Sequence, residues 1–106
     1  MASYGNRDNA TENSLGKALK TIRKARGLSQ EAFSKVSSRT YLSSLERGLK
    51  NPTLSKIDEL CQVMEVHPLT LLALAYAGRR ELDGADEVLK KAGQELRNVL
   101  NETDIV

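Results

Sequence analysis

The sequence predicts an all-α protein of six helices and no strand, built around one core. Apolar residues recur at spacings of three and four through most of its 106 residues, which is the period of amphipathic helices. Capping residues precede several of these segments and glycines follow three of them, as is typical of helix starts and ends. Three tyrosines, one phenylalanine and no tryptophan leave a small aliphatic core, which suits helices better than a β-sandwich. The length provides for a single domain.

The first helix is predicted at residues 14–26, where apolar residues lie at helical spacing. Ser14 is its expected N-cap, and Gly27 stands where a C-terminal glycine ends a helix. Residues 1–13 are polar, so we expect them to form a flexible N-terminal arm.

The second and third helices are short and close together. Ser29 is a good N-cap for a helix from Gln30 to about Val36, and a third helix is predicted from about Arg39 to Arg47. Ser37 and Ser38 form the turn between them. Two short helices joined by a tight turn are a helix-turn-helix.

Three further helices complete the predicted order. Thr53 caps the fourth, and Pro68 suits the first turn of a fifth helix at 68–77, which Gly78 ends. Residues 79–84 are predicted to be a connector with an aspartate cap. The sixth helix is expected at 85–100.

The last segment carries an apolar seam with heptad spacing. The seam consists of Leu82, Ala85, Leu89, Ala92, Leu96 and Val99. It is too short for a stable isolated coiled coil. We therefore expect it to form one dimer interface together with an exposed side of the fifth helix, namely Leu71, Leu74 and Ala75. The alternative is that the last helix folds back and completes the core of its own domain.

Charge is unevenly distributed along the chain. Residues 15–51 hold nine lysines and arginines against two glutamates, although the net charge of the whole chain is only +2. Such a segment favours a face that binds a polyanion. Helix surfaces are also often charged by chance, so charge alone leaves nucleic-acid binding open.

Composition excludes several classes of function. One cysteine, Cys61, allows no internal disulfide and no multi-cysteine metal site, and one histidine, His67, leaves little for acid–base chemistry. The longest apolar run, 71–77, is far short of a membrane span, and the N-terminus resembles no signal peptide. We therefore expect no metal, no cofactor, no membrane contact, no enzymatic activity and a cytoplasmic location.

Residues 15–72 resemble the helix-turn-helix domain of phage lambda repressor and Cro, in the Xre-like regulator family. The matching pieces are Leu19–Arg23, Gly27–Glu31, Tyr41–Gly48 and Pro52–Leu54. The resemblance implies a lambda repressor-like five-helix DNA-binding domain at 14–78, followed by a C-terminal helix at 79–106 as a dimerisation element. Family members usually have about two more residues in the turn, so here the turn is tighter or the second helix ends earlier.

The site follows from how such a domain meets DNA. A recognition helix enters the major groove by its N-terminal end, where side chains contact base edges. Ser38, Arg39 and Thr40 lie at that end, and Ser44 lies one turn further on the same face. Matching the family motif gives the same four base-contacting residues. For Arg39 the expected contact is a bidentate one to guanine; the alternatives are a phosphate contact or solvation.

The resemblance also implies contacts to the DNA backbone. Gln30 opens the second helix, where free amides and the helix dipole attract phosphate. The other expected backbone contacts are Tyr41, Arg47, Lys50, Asn51 and Thr53. In the family, the acid at Glu46 pairs with the arginine at Arg23, which we interpret as a structural tie between the first and third helices.

Two functions from different classes remain at this point. The first is a sequence-specific transcriptional regulator of double-stranded DNA, a dimeric repressor that binds an inverted-repeat operator. The second is a protein-binding module of the antitoxin or anti-regulator type, with DNA binding secondary. It would hold its protein partner on the fifth helix and the apolar seam.

Overall fold

A computed structural model describes the backbone of residues 7–105 and the side chains of residues 15–101. The predicted all-α class is confirmed, because the residues from 7 to 105 contain helices and turns but no strand. The α-helices are α1 (Arg7–Ala25), α2 (Arg39–Glu46), α3 (Leu54–Met64), α4 (Pro68–Ala77) and α5 (Glu81–Ile105). Two short 3₁₀ helices, Gln30–Phe33 and Gly78–Arg80, precede α2 and α5.

The N-terminal half departs from the sequence prediction at two places. Helix α1 begins at Arg7 rather than at Ser14, so residues 7–13 continue the helix, while residues 1–6 of the predicted arm lie outside the described part. The predicted second helix is a single 3₁₀ turn that ends at Phe33. The backbone amides of Val36 and Ser37 both donate to the Phe33 carbonyl at 2.9 Å, so the chain turns at once toward α2.

The predicted connector at 79–84 is wrong. Helix α5 begins at Glu81, whose φ of 48° reverses the chain after α4, and it continues through Gly84. A Cβ at Gly84 would lie 2.9 Å from the Cβ atoms of Ala77 and Arg80. The glycine therefore allows the first turn of α5 to lie directly against the end of α4, rather than marking a break.

Every α-helix except α5 contributes to one aliphatic core around Phe33, which is fully buried. The core residues are Ala18, Leu19, Ile22, Phe33, Leu42, Leu45, Ile57, Leu60, Cys61, Met64, Leu71 and Ala75. Helix α1 reaches the end of α2 at Gly16. A Cβ there would lie 2.7 Å from the carbonyl oxygen of Glu46 and closer still to that of Leu45. This approach fixes α2 relative to the rest of the domain.

The prediction that Leu71 and Ala75 lie on an exposed side of their helix is also wrong. They are only 1% and 2% exposed, because α4 packs against both α1 and α5. Leu74 is partly buried against the same core. Leu71 therefore has no surface left for a dimer partner. Helix α5 does fold back onto α4, but the leucines of its predicted seam stay exposed.

A helix needs about 20 apolar residues to cross a bilayer. Within residues 7–105, no single helix is long and apolar enough to do so. One bent pair, Leu54–Met64 with Pro68–Asn101, reaches the required length and composition when its two parts are taken together.

Candidate DNA-binding surface

The start of α2 is fixed by a serine cap. The Ser38 hydroxyl oxygen accepts a hydrogen bond from the backbone amide of Tyr41 at 3.1 Å, and the Ser37 hydroxyl donates to the Ser38 carbonyl at 2.9 Å. Leu42 and Leu45 are buried on the inner side of the helix. The remaining polar residues of α2 therefore lie on its outer side, namely Arg39, Thr40, Ser43 and Ser44.

These outward residues line one open depression of about 460 Å³, which we call the α2 surface. Its residues are Gln30, Arg39, Thr40, Ser43, Ser44 and Arg47. Two guanidinium groups, one amide and three hydroxyls thus share a single concave face. Five of the six are residues that the sequence predicted as DNA contacts. Ser43 was missed, although its position four residues after Arg39 could have placed it on this face.

Arg39 is a highly exposed basic residue of the α2 surface. Its side chain is 72% exposed, and its Nη1 atom lies 3.7 Å from Oε1 of Glu31, whose side chain is 77% exposed. An ion pair in such a position contributes little, since water screens it and both side chains move freely. Arg39 can therefore leave Glu31 for a base or a phosphate at small cost.

A buried network holds α2 from below. Arg23 Nε lies 2.6 Å from Glu46 Oε2 and Arg23 Nη2 lies 3.0 Å from Glu46 Oε1, while Arg23 Nη1 donates to the Leu28 carbonyl at 2.9 Å. The hydrogen bond to Glu46 raises the pKa of Arg23, its charge adds to the effect, and burial opposes it. The pair ties α1 to the last turn of α2.

Gln30 belongs to this network as well as to the α2 surface. Its amide Nε2 donates to Glu46 Oε1 at 3.2 Å. The segment that Gln30 opens is only a four-residue 3₁₀ turn rather than the predicted helix, so its dipole is small. A phosphate contact by Gln30 stays a prediction, which depends on its side chain and backbone amide.

The remaining predicted backbone contacts lie at the end of α2 and in the following loop. Arg47 is exposed at the C-terminus of α2, and the Lys50 ammonium lies 5.9 Å from the ring centroid of Tyr41, within cation–π range. Thr53 caps α3 by accepting from the Lys56 amide at 3.1 Å. Asn51 is exposed in the same loop. Capping occupies one lone pair of Thr53 and leaves its hydroxyl hydrogen able to donate.

Lys56 is a positioning residue that the sequence did not reveal. Its ammonium donates to the carbonyl of Val36 in the turn before α2 and forms an ion pair with Glu59 at 2.8 Å. It therefore ties α3 to the turn from which α2 starts. No spacing or motif distinguishes this lysine from a solvated one.

Comparison with known proteins covers the same part of the chain. The family model described as Helix-turn-helix (HTH_3) matches residues 19–71, which is half of the chain and includes the whole α2 surface. A protein of Sinorhizobium fredii named "Uncharacterized HTH-type transcriptional regulator y4dJ" is 40% identical over 60 residues, which span 55% of this chain and 78% of the relative. No solved structure matches the chain significantly. The chain belongs to the helix-turn-helix family of DNA-binding transcriptional regulators.

Proposed function

We propose that the chain is a homodimeric repressor that binds an inverted-repeat operator in the major groove. The observation that carries this proposal is the α2 surface, where six hydrogen-bonding side chains face one open depression. The major-groove edges of guanine, adenine and thymine present acceptors that such donors recognise. Arg39 is free to contact guanine through both of its terminal nitrogens.

The contacts divide by position along α2. Ser38, Arg39, Thr40 and Ser44 contact base edges, because they lie at the helix start or one turn on. The backbone contacts come from Gln30, Tyr41, Arg47, Lys50, Asn51 and Thr53. The charge of residues 15–51 supports the backbone contacts. Of the two glutamates in this segment, Glu46 is neutralised by Arg23, so a DNA phosphate backbone meets mainly cations there.

A dimer supplies the specificity that one helix lacks. A single recognition helix contacts only a few base pairs, and each wrong base pair typically costs only about 1–3 kcal/mol. Two copies related by a two-fold axis double the site and place their helices about 34 Å apart. The exposed leucines of α5 support such pairing. A repressor that occupies a promoter blocks it, so repression needs no surface beyond the α2 surface and the α5 leucines. The DNA target implies a cytoplasmic location.

Selection from random duplex DNA tests the proposal. The purified full chain is expected to enrich one inverted repeat whose half-sites lie about one helical turn apart. A variant with Arg39→Ala and Thr40→Ala serves as the control and should enrich no common sequence. The proposal fails if the native chain enriches no sequence, and its dimeric part fails if the enriched site is a single half-site.

The exposed leucines of α5 also favour a second candidate, a protein-binding antitoxin or anti-regulator module. In that case the leucines would hold a different protein, and DNA binding would be secondary. Sedimentation of the full chain distinguishes the two, because this candidate predicts a monomer at tens of micromolar and no selected operator.

A further inference from the structure

One face of α5 presents an apolar row along most of its length. We call this row the α5 stripe; it consists of Leu82, Ala85, Leu89, Ala92, Leu96 and Val99. Leu82, Leu89, Leu96 and Val99 are 73%, 45%, 60% and 55% exposed. Gly84 is buried and Val88 half-buried, so α4 covers a different face of the helix. Ala92 is exposed as well, whereas Ala85 is half-buried beside Gly84. An apolar surface that is exposed along most of a helix marks an interface.

We infer that a second copy of the chain covers the α5 stripe, with the two α5 helices antiparallel and the two-fold axis between Leu89 and Ala92. The inference rests on the proposed dimer and specifies its geometry. The heptad spacing places Leu82, Leu89 and Leu96 at one core position of a helix pair. It places Ala85, Ala92 and Val99 at the other.

The sizes of these side chains select the antiparallel arrangement. In the antiparallel register Ala85 faces the partner's Leu96, Leu89 faces the partner's Ala92, and Leu82 faces the partner's Val99. Every alanine then packs against a leucine, so successive layers of the interface contain similar side-chain volumes and leave no gap. In a parallel pair in register, each residue faces its own copy. Ala85 and Ala92 would then form two underfilled layers between crowded leucine layers.

Charge selects the same arrangement. Residues 81–87 hold four acids, Glu81, Asp83, Asp86 and Glu87, and no base; Glu87 forms an ion pair with Arg80 at 2.7 Å. A parallel pair would set each acidic segment beside its copy, whereas like charges at facing positions repel. The antiparallel pair sets it beside residues 94–100, which contain one acid, Glu95, and one base, Arg97.

Arg97 lies on the flank that this arrangement requires. Its Nη1 atom is 3.6 Å from the point where a Cβ of Gly93 would lie, so the guanidinium covers Gly93. Gly93 lies one heptad after Asp86 and therefore occupies the same flank of α5. In the antiparallel pair the partner's Asp86 arrives on that flank, within reach of the guanidinium.

Cysteine cross-linking of the full chain tests the orientation. Leu82→Cys and Val99→Cys are made separately, and one variant carries a tag so that the three dimers differ in mass. Equivalent cysteines in an antiparallel pair lie roughly 25 Å apart along the helix axes, at 1.5 Å per residue, whereas a disulfide needs Cα atoms within about 7 Å. The native chain is the control, because its Cys61 is buried.

Mild oxidation of the mixed variants is expected to form a disulfide-linked heterodimer. Each variant oxidised by itself should form no more linked dimer than the native chain does. A second pair, Ala85→Cys with Leu96→Cys, repeats the test should the first pair fold poorly. Homodimers of each single variant, without a heterodimer in the mixture, would mean a parallel pair and overturn the inference.

Sedimentation of the reduced proteins separates the remaining outcomes. A dimer that forms no disulfide in either pair is held by another surface, which overturns this inference and leaves the proposed function intact. A monomer that binds a different protein through the α5 stripe overturns the inference and the dimeric part of the function together. Binding to the selected operator, measured in parallel, reports on the α2 surface independently of α5.

Discussion

Arg23 of α1 and Glu46 of α2 form a two-pronged ion pair whose side chains are only 10% and 4% exposed. The pair lies beneath the α2 surface, and Gln30 of that surface donates to the same carboxylate. The orientation of α2 therefore depends on a contact that is itself shielded from solvent.

Removing one partner of this pair should destabilise the domain. Glu46→Ala leaves the Arg23 guanidinium buried beside only the Leu28 carbonyl, and such losses cost about 3 kcal/mol or more. Urea unfolding followed by circular dichroism measures the free energy of unfolding. The matched control is Glu87→Ala, which breaks the fully exposed pair with Arg80 and should leave the midpoint almost unchanged. Equal effects of the two variants would mean that the Arg23–Glu46 pair is not structural.

Gly16→Ala should destabilise the chain and weaken DNA binding together. The new methyl group would meet the carbonyl oxygens of Leu45 and Glu46, so α1 must move away from the end of α2, at a cost of about 1–3 kcal/mol. Gly93→Ala is the control, because it makes the same substitution inside a helix without a close backbone contact. Its new methyl group meets only the end of the flexible Arg97 side chain, so the variant should stabilise α5 by about 0.5–1 kcal/mol. Thermal unfolding of both variants checks the opposite signs.

Exchanging charges on α5 should weaken and then restore the dimer. Arg97→Asp alone places an acid against the partner's Asp86, and Asp86→Arg alone places two bases together, so each single variant should dissociate more readily. The double variant restores the opposite charges and should dimerise like the native chain at low salt. Sedimentation equilibrium at low and high salt checks this, since screening should reduce the difference between each single variant and the native chain.

Cys61 should react slowly in the folded chain. Burial raises the pKa of its thiol, and the nearby charge of Asp58 raises it further, so less of the reactive thiolate is present at any pH below that pKa. Alkylation by iodoacetamide at pH 8 should be slow for the native chain and fast in urea. Rapid alkylation of the folded chain would show that Cys61 is accessible, and Cys61→Ala would then be required in the cross-linking experiments.

Local signals in the sequence were enough for α2 and α4. Ser38 and Gly48 delimit α2, and Pro68 and Gly78 delimit α4, so both helices lie within a residue of their predicted bounds. The Arg23–Glu46 pair could be anticipated only from the family resemblance, because its partners are 23 residues apart.

Other features depend on packing that the sequence does not encode locally. Helix α4 is apolar nearly all round, so no periodicity could show that Leu71 and Ala75 face inward. Gly84 has the local character of a helix stop, and its place inside α5 is explained by the close approach of its backbone to Ala77 and Arg80. The 3₁₀ turn at 30–33 ends early although Val36 continues the apolar pattern, because the chain must turn there toward α2.

The proposed function depends most on Arg39 as a base-contacting residue, and one binding experiment tests this role directly. The native chain, Arg39→Ala and Lys50→Ala are each titrated with the selected operator and with operators changed at one base pair at a time. Arg39→Ala should lose about 1–3 kcal/mol on the operator and no longer distinguish the bases at one or two positions. Lys50→Ala should weaken binding to all sequences about equally. If Arg39→Ala retains the native base preference at every position of the operator, Arg39 contacts no base and the proposed base recognition by the α2 surface is wrong.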